Sequence, residues 1–147
     1  MMVISSQTTY DQDFALWVEE NIALIRAKNY DAVDWENLIE EVEGLTRSDK
    51  RELENRLTTL FEHALKRRYL PLQDCYRGWE VTLKRTQKQL RRVLTDSPSL
   101  RNYFVSVIKK CYQDALGDVR DEYDEIFPDR LPFTDEIDQL LTEEFWR

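Results

Sequence analysis

The residue types best suited to chemistry gather between Asp34 and Pro71. Glu36, Glu40 and Glu43 recur at four- and three-residue spacing, so on a helix they share one stripe, which Arg47 extends. His63, the single histidine, lies further on, on a flank shared with Glu52, Arg56 and Arg67. Glutamates and a histidine turned into a helical bundle serve as metal ligands or as acid–base groups. Glu40, Glu43 and His63 are therefore the candidate polar site, provided the helices on either side of Gly44 fold back as a hairpin. A di-iron bundle would need Glu-x-x-His on two helices. Leu60 stands three before His63 and there is no second histidine, so that motif is absent. Zinc-type Cys and His spacing is absent too, and no cofactor is predicted. The plainer reading, and the favoured one, is a solvated stripe paired with Arg47 and with the basic segment that follows.

That basic segment is the second constellation. Lys66-Arg67-Arg68 is followed by a helix whose polar side carries Lys84, Arg85, Lys88, Arg91 and Arg92, with no acid between Val81 and Leu94. Such a face can lie along a phosphate backbone, and Tyr69, Tyr76 and Trp79 are near enough in sequence to stack on bases. Lys84, Lys88, Arg91 and Arg92 are the candidate nucleic-acid contacts. Against this, the sequence pI is about 4.8, far below that of a typical nucleic-acid module. Internal neutralisation is favoured: residues 1–62 sum to −8, 63–92 to +7 and 93–147 to −7.

Nucleophilic and phosphate chemistry find no footing. There is no G-x-S-x-G, no phosphate loop and no G-x-G-x-x-G. Cys75 and Cys111 are isolated thiols without a C-x-x-C, and Cys111 falls on an apolar helix face, where a thiol is inert. No catalytic residue is assigned.

The elements that must position these groups are helices. Phe14, Trp17, Val18, Ile22 and Ile25 form one apolar face after the acidic start Tyr10-Asp11-Gln12-Asp13, and Lys28-Asn29 ends it. Asp34 caps a second helix with Trp35, Leu38, Val42 and Leu45 on its apolar side. Gly44 and Thr46-Arg47-Ser48 read as a joint, and Ser48 as the cap of a third helix burying Leu53, Leu57, Leu60, Phe61 and Ala64 until Pro71 stops it. Leu72 to Gly78 reads as a loop. Trp79, Leu83, Thr86, Leu90 and Val93 then make a heptad-like seam. Ser97-Pro98 restarts the chain into a helix carrying Leu100, Phe104, Val107, Ile108, Cys111, Ala115 and Val119 to about Glu125. Thr134 caps a last helix with Ile137, Leu140 and Leu141, before the aromatic end Phe145-Trp146.

Three glycines and four prolines leave too few turns for a β-sandwich, and no segment alternates with period two. The expectation is all-α: a single helical domain over 1–147 with five to six helices and a loosely ordered stretch over 1–8. No apolar run reaches the length of a membrane span, and the start lacks the features of a signal peptide. A cytoplasmic protein acting through protein–protein contacts or self-association is the leading functional expectation.

Laid end to end, these segments carry a resemblance. Tyr10-Asp11-x-Asp13-Phe14-x-x-Trp17 comes first, then Leu38-Ile39-Glu40-Glu41-Val42-Glu43-x-Leu45 and Leu60-x-x-His63-x-Leu65-Lys66. Trp79, Ser97-Pro98-Ser99-Leu100 and Phe127-Pro128 follow in that order. The chain resembles the bacterial domain-of-unknown-function family number 29. What the resemblance implies is an α-helical domain with no established activity. One departure stands out: about two turns after Trp79 the family tends to carry an arginine, where this chain has Gln87 followed by Lys88.

Overall fold

A computed structural model describes residues 9–147; the expectation for 1–8 lies outside the described residues. A helical turn over 9–12 leads into α1 (Phe14–Arg26), followed by a short 3-10 helix (Tyr30–Ala32). Then come α2 (Trp35–Tyr69), α3 (Gln73–Asp96), α4 (Leu100–Glu122) and the short α5 (Ile137–Thr142). Among the described residues there is no strand, so the all-α expectation holds. None of these helices is long and apolar enough to cross a membrane. The chain forms two compact units, dividing between Arg47 and Ser48.

The division falls inside α2, which corrects the sequence reading. Two helices joined at Gly44 were expected, yet one helix of 35 residues runs from Trp35 to Tyr69. A mid-helix glycine costs only about 1 kcal/mol against alanine. The glutamates, leucines and basic residues around it are strong helix formers, and Arg47 bridges back across Gly44 to Glu40 and Glu43. Gly44 has no positive φ, so nothing breaks the helix there and Ser48 caps nothing. The hairpin does not form.

In the first unit, α1 starts where Asp13 accepts from the Leu16 amide at 3.1 Å. It ends in a Schellman motif: the Asn29 amide reaches the Leu24 carbonyl and the Lys28 amide reaches Ile25, both at 2.9 Å. The left-handed residue is Lys28 (φ 61°), not the asparagine beside it. Of the expected apolar face only Trp17 is buried, together with Asn21, while Phe14 and Ile22 stand exposed. Asp34 caps α2 as expected, its carboxylate facing the Asn37 amide at 3.5 Å and its carbonyl taking the Leu38 amide at 3.0 Å.

The second unit holds the main core. Leu53, Leu57, Leu60, Phe61, Ala64 and Leu65 of α2 pack with Leu83 and Leu90 of α3 and with Phe104, Ile108, Cys111, Tyr112 and Ala115 of α4. Phe127, Phe133, Leu140, Leu141 and Trp146 from the C-terminal stretch join them. Several boundaries differ from expectation. α3 begins at Gln73, five residues before the expected loop ends, because Tyr76 reaches back with its hydroxyl to the Leu70 carbonyl (2.7 Å) and closes the corner within one turn. α4 begins at Leu100 rather than Pro98, since residues 97–100 form a backbone turn with Ser97 O accepting from Leu100 at 3.0 Å and no side-chain cap. Thr134 does not cap α5, whose N-cap is Glu136 with no side-chain cap bond; it acts just before, accepting from the Glu136 amide at 3.0 Å and donating to Gln139 at 2.6 Å.

Candidate functional site

The first unit is knotted by Asp34. Trp17 donates its indole N–H to Asp34 Oδ2 at 2.9 Å, and Asn37 donates to the same oxygen at 2.8 Å. Asn21 accepts from the Asp34 amide at 2.8 Å and donates to the Trp17 carbonyl at 2.9 Å. Burial pushes the Asp34 carboxyl upward, but the hydrogen bonds from Asn37 and Trp17 outweigh it and hold the group below the usual carboxylate range. Tyr10 adds a bond of 2.5 Å to Glu41 and packs edge-on against Trp17. These hydrogen bonds close among the knot's own members, which marks it as architecture: it aims the start of α2.

That aim leaves the α2 face beyond it uncovered. Trp35 is 44% exposed, Ile39 53%, Val42 57% and Leu45 68%. These residues fall within an arc of about 120° at ~100° per residue. The apolar positions of α2 are thus open before Arg47 and buried from Leu53 onward. Glu36 and Glu43 border the open stripe on the helix surface. Glu40 and Glu43, the first two candidate polar residues, meet Arg47 at 3.0 and 3.8 Å. All three side chains are more than half exposed, so these pairs contribute little. Over residues 9–47, ten acidic residues stand against three basic ones.

His63, the third candidate, belongs to the second unit. Its Nδ1 lies 3.0 Å from the Thr59 carbonyl. A carbonyl can only accept, so Nδ1 carries the proton and Nε2 keeps the lone pair. Burial holds the imidazole below its ordinary range; the Thr59 bond opposes this and Lys66 adds to it. The structure thus gathers Glu40 and Glu43 on Arg47, and gives His63 other neighbours. Among the described residues no group of three or more His, Cys, Asp or Glu side chains could hold a metal ion.

One acidic pair was not singled out from the sequence. Glu62 of α2 shares an open groove with Asp118 of α4, and its carboxyl is pushed up to about 7 by burial first, then by Asp118, with Glu122 adding and Lys66 opposing. Asn55, Thr58, Thr59 and Asp114 line the open groove around it. A carboxylate beside a half-buried carboxyl raises the proton affinity of the buried one, as burial does. Among the described residues no histidine or cysteine lines this groove, and the Cys111 thiol is buried and pushed up by that burial. Asp114 and Asp118 one turn apart were visible in the sequence, but which helix faces them is a tertiary fact.

The cationic side of α3 divides into two sets. Lys84 sits 3.3 Å from Glu144, and Arg91 donates to the Leu141 carbonyl. Lys88 and Arg92 have no ion pair among the described residues, nor do Arg77 and Arg85. Those four fall within an arc of about 80°. The basic segment is answered mainly from the second unit itself, by Lys66–Glu122 at 2.9 Å, Arg67–Glu80 at 2.7 Å and Glu144. Within the first unit, Glu40 and Glu43 of the stripe pair with Arg47. Gln87, which stands where the resemblance leads one to expect arginine, donates from Nε2 to the Leu140 and Glu143 carbonyls at 2.8 and 2.9 Å. With Arg91 it satisfies carbonyls at the end of α5 that the helix leaves unpaired.

Comparison with known families agrees with the resemblance: the family described as Domain of unknown function DUF29 matches residues 9–146, and the chain belongs to it. No curated protein matches, and no solved structure does.

Proposed function

We propose that this chain is a cytoplasmic, non-catalytic helical module that works through protein–protein contacts, made by the exposed face of α2 before Arg47. One observation carries the reading: Trp35, Ile39, Val42 and Leu45 stand open to solvent on one side of one helix. Folded chains rarely leave so contiguous an apolar stripe to water unless something covers it. The groove of Glu62 and Asp118 has neither histidine nor cysteine among its described lining residues, and the hydrogen bonds of the Asp34 knot close among its own members, so neither competes as a centre of action.

The test is a photo-crosslinker placed at Ile39 or Val42 in living cells, with a matched one at Val105, which is as exposed on α4. The expected result is a discrete adduct from positions 39 and 42 and none from 105. Equal, diffuse labelling from all three positions, with a strictly monomeric protein, would overturn the reading.

A second reading rests on a different observation, the unpaired stripe Arg77, Arg85, Lys88 and Arg92. As a phosphate-tracking surface it would give affinity for RNA or DNA that falls steeply between 50 and 200 mM salt, as counterion release demands, at those approximate concentrations. No retention of either nucleic acid at about 50 mM salt removes it.

A further inference from the structure

We infer that the occupant of the open α2 face is a basic amphipathic helix of a partner protein, a reading that rests on the protein-contact function above and names the chemistry of its partner. The face itself dictates an apolar contact. Trp35, Ile39, Val42 and Leu45 recur at four-, three- and three-residue steps, so they offer about 15 Å of apolar ridge, the length of three turns of a facing helix. Leu38, half-buried, falls within the same arc.

Charge chooses between candidates for that contact. Glu36 and Glu43 border the ridge, and Glu36 has no partner among the described residues. The segment 9–47 carries ten acids and three bases, a net of −7. A second copy presenting the same face would bring −7 against −7, and like charges across an interface are a barrier to association. A helix with leucine-like residues on one side and Lys or Arg on its borders meets both features at once. The apolar ridge supplies affinity and the acidic border supplies steering and register. The α3 stripe of the same chain has the right sign but only Val81 as an exposed large apolar residue, so it does not supply the matching ridge.

The experiment uses the full chain and three synthetic 18-residue peptides. The first has leucines on one helical face and lysines on the other, the second replaces lysine by glutamate, and the third scrambles the first so that no face remains. Binding is followed by fluorescence anisotropy at low and high salt, with light scattering for the oligomeric state. The expected result is a monomer that binds the Leu/Lys helix at least tenfold more tightly than either other peptide. The double variant Ile39→Gln with Val42→Gln should lose tenfold or more, with Val105→Gln unchanged. Glu36→Gln with Glu43→Gln should flatten the salt dependence while leaving part of the affinity. Circular dichroism and melting verify that each variant is folded, as the exposure of these residues leads one to expect.

Equal binding of the Leu/Lys and Leu/Glu helices, abolished by the Ile39/Val42 variant, would overturn the basic partner and leave the protein-contact reading standing. A dimer that the same variant dissolves would make the occupant a second copy, with the same consequence. Binding of the Leu/Lys helix that the variant does not touch would remove the face from both. A monomer that binds no peptide would overturn the basic helix; the crosslinking result above then decides the broader reading separately.

Discussion

At the scale of single residues, the sharpest consequence of the structure is at Glu62. Its carboxyl, raised to about 7 by burial and Asp118, binds a proton more tightly when folded than when unfolded, where the ordinary value is 4.5. The stability it contributes is therefore complete below about pH 4.5 and is lost as pH rises through about 7. Glu62→Gln cannot ionise, so it should match the parent at pH 5 and exceed it at pH 8. After discounting for solvent screening in the open groove, the gain should be of order 1 kcal/mol, a few degrees in Tm. Thermal melts at the two pH values check it, and a constant difference at both would show that proton binding at Glu62 is ordinary. This pair was illegible in the sequence for a plain reason. Asp114 and Asp118 look like a solvated stripe until α4 is laid against α2, and nothing in local spacing says which faces meet. Asp34 was legible, because its capping role depends only on the residues that follow it.

At the scale of elements, periodicity served well where burial was complete and poorly where it was not. The spacing of Leu53, Leu57, Leu60, Phe61 and Ala64 predicts core, and each is wholly buried. Trp35, Val42 and Leu45 have the same kind of spacing and are exposed, because periodicity reports a face and not what lies against it. The joint that the sequence predicts at Gly44 is absent for a related reason: glycine lowers helix propensity by an amount that neighbouring helix formers and the Arg47 bridges readily offset. Gly44→Ala is the test. A Cβ there would meet only the Arg47 guanidinium, at 3.5 Å, an ordinary contact, and the backbone φ is negative. The variant should gain about 0.5–1 kcal/mol from propensity, seen as a raised melting temperature and slower amide exchange around residues 40–48. A loss of stability would mean that a bend at Gly44 matters to α2.

At the scale of the whole molecule, the apolar residues sort into two populations that mutation should separate. Trp146 is fully buried, packs edge-on against Phe145, and belongs to the same core as Leu60 and Phe104. Its burial makes it part of the core rather than a surface for a partner. Replacing it with alanine removes a large transfer term and leaves a cavity beside α5, which Gln87 and Arg91 otherwise hold in place. The expected cost is about 3–5 kcal/mol, against a total domain stability of only about 5–15 kcal/mol. Urea unfolding should therefore move Trp146→Ala to a much lower midpoint with little change in slope. Ile39→Gln and Val42→Gln, although they also remove large apolar side chains, act on positions already half or more open to water. They should stay within about 0.5 kcal/mol of the parent, as surface substitutions do. That contrast bears directly on the function proposed. If Ile39 and Val42 contribute nothing to folding, their apolar character is held in the sequence for a contact outside the fold. A cost approaching that of Trp146→Ala would place them in the core and withdraw the open face on which the docking of a basic helix depends.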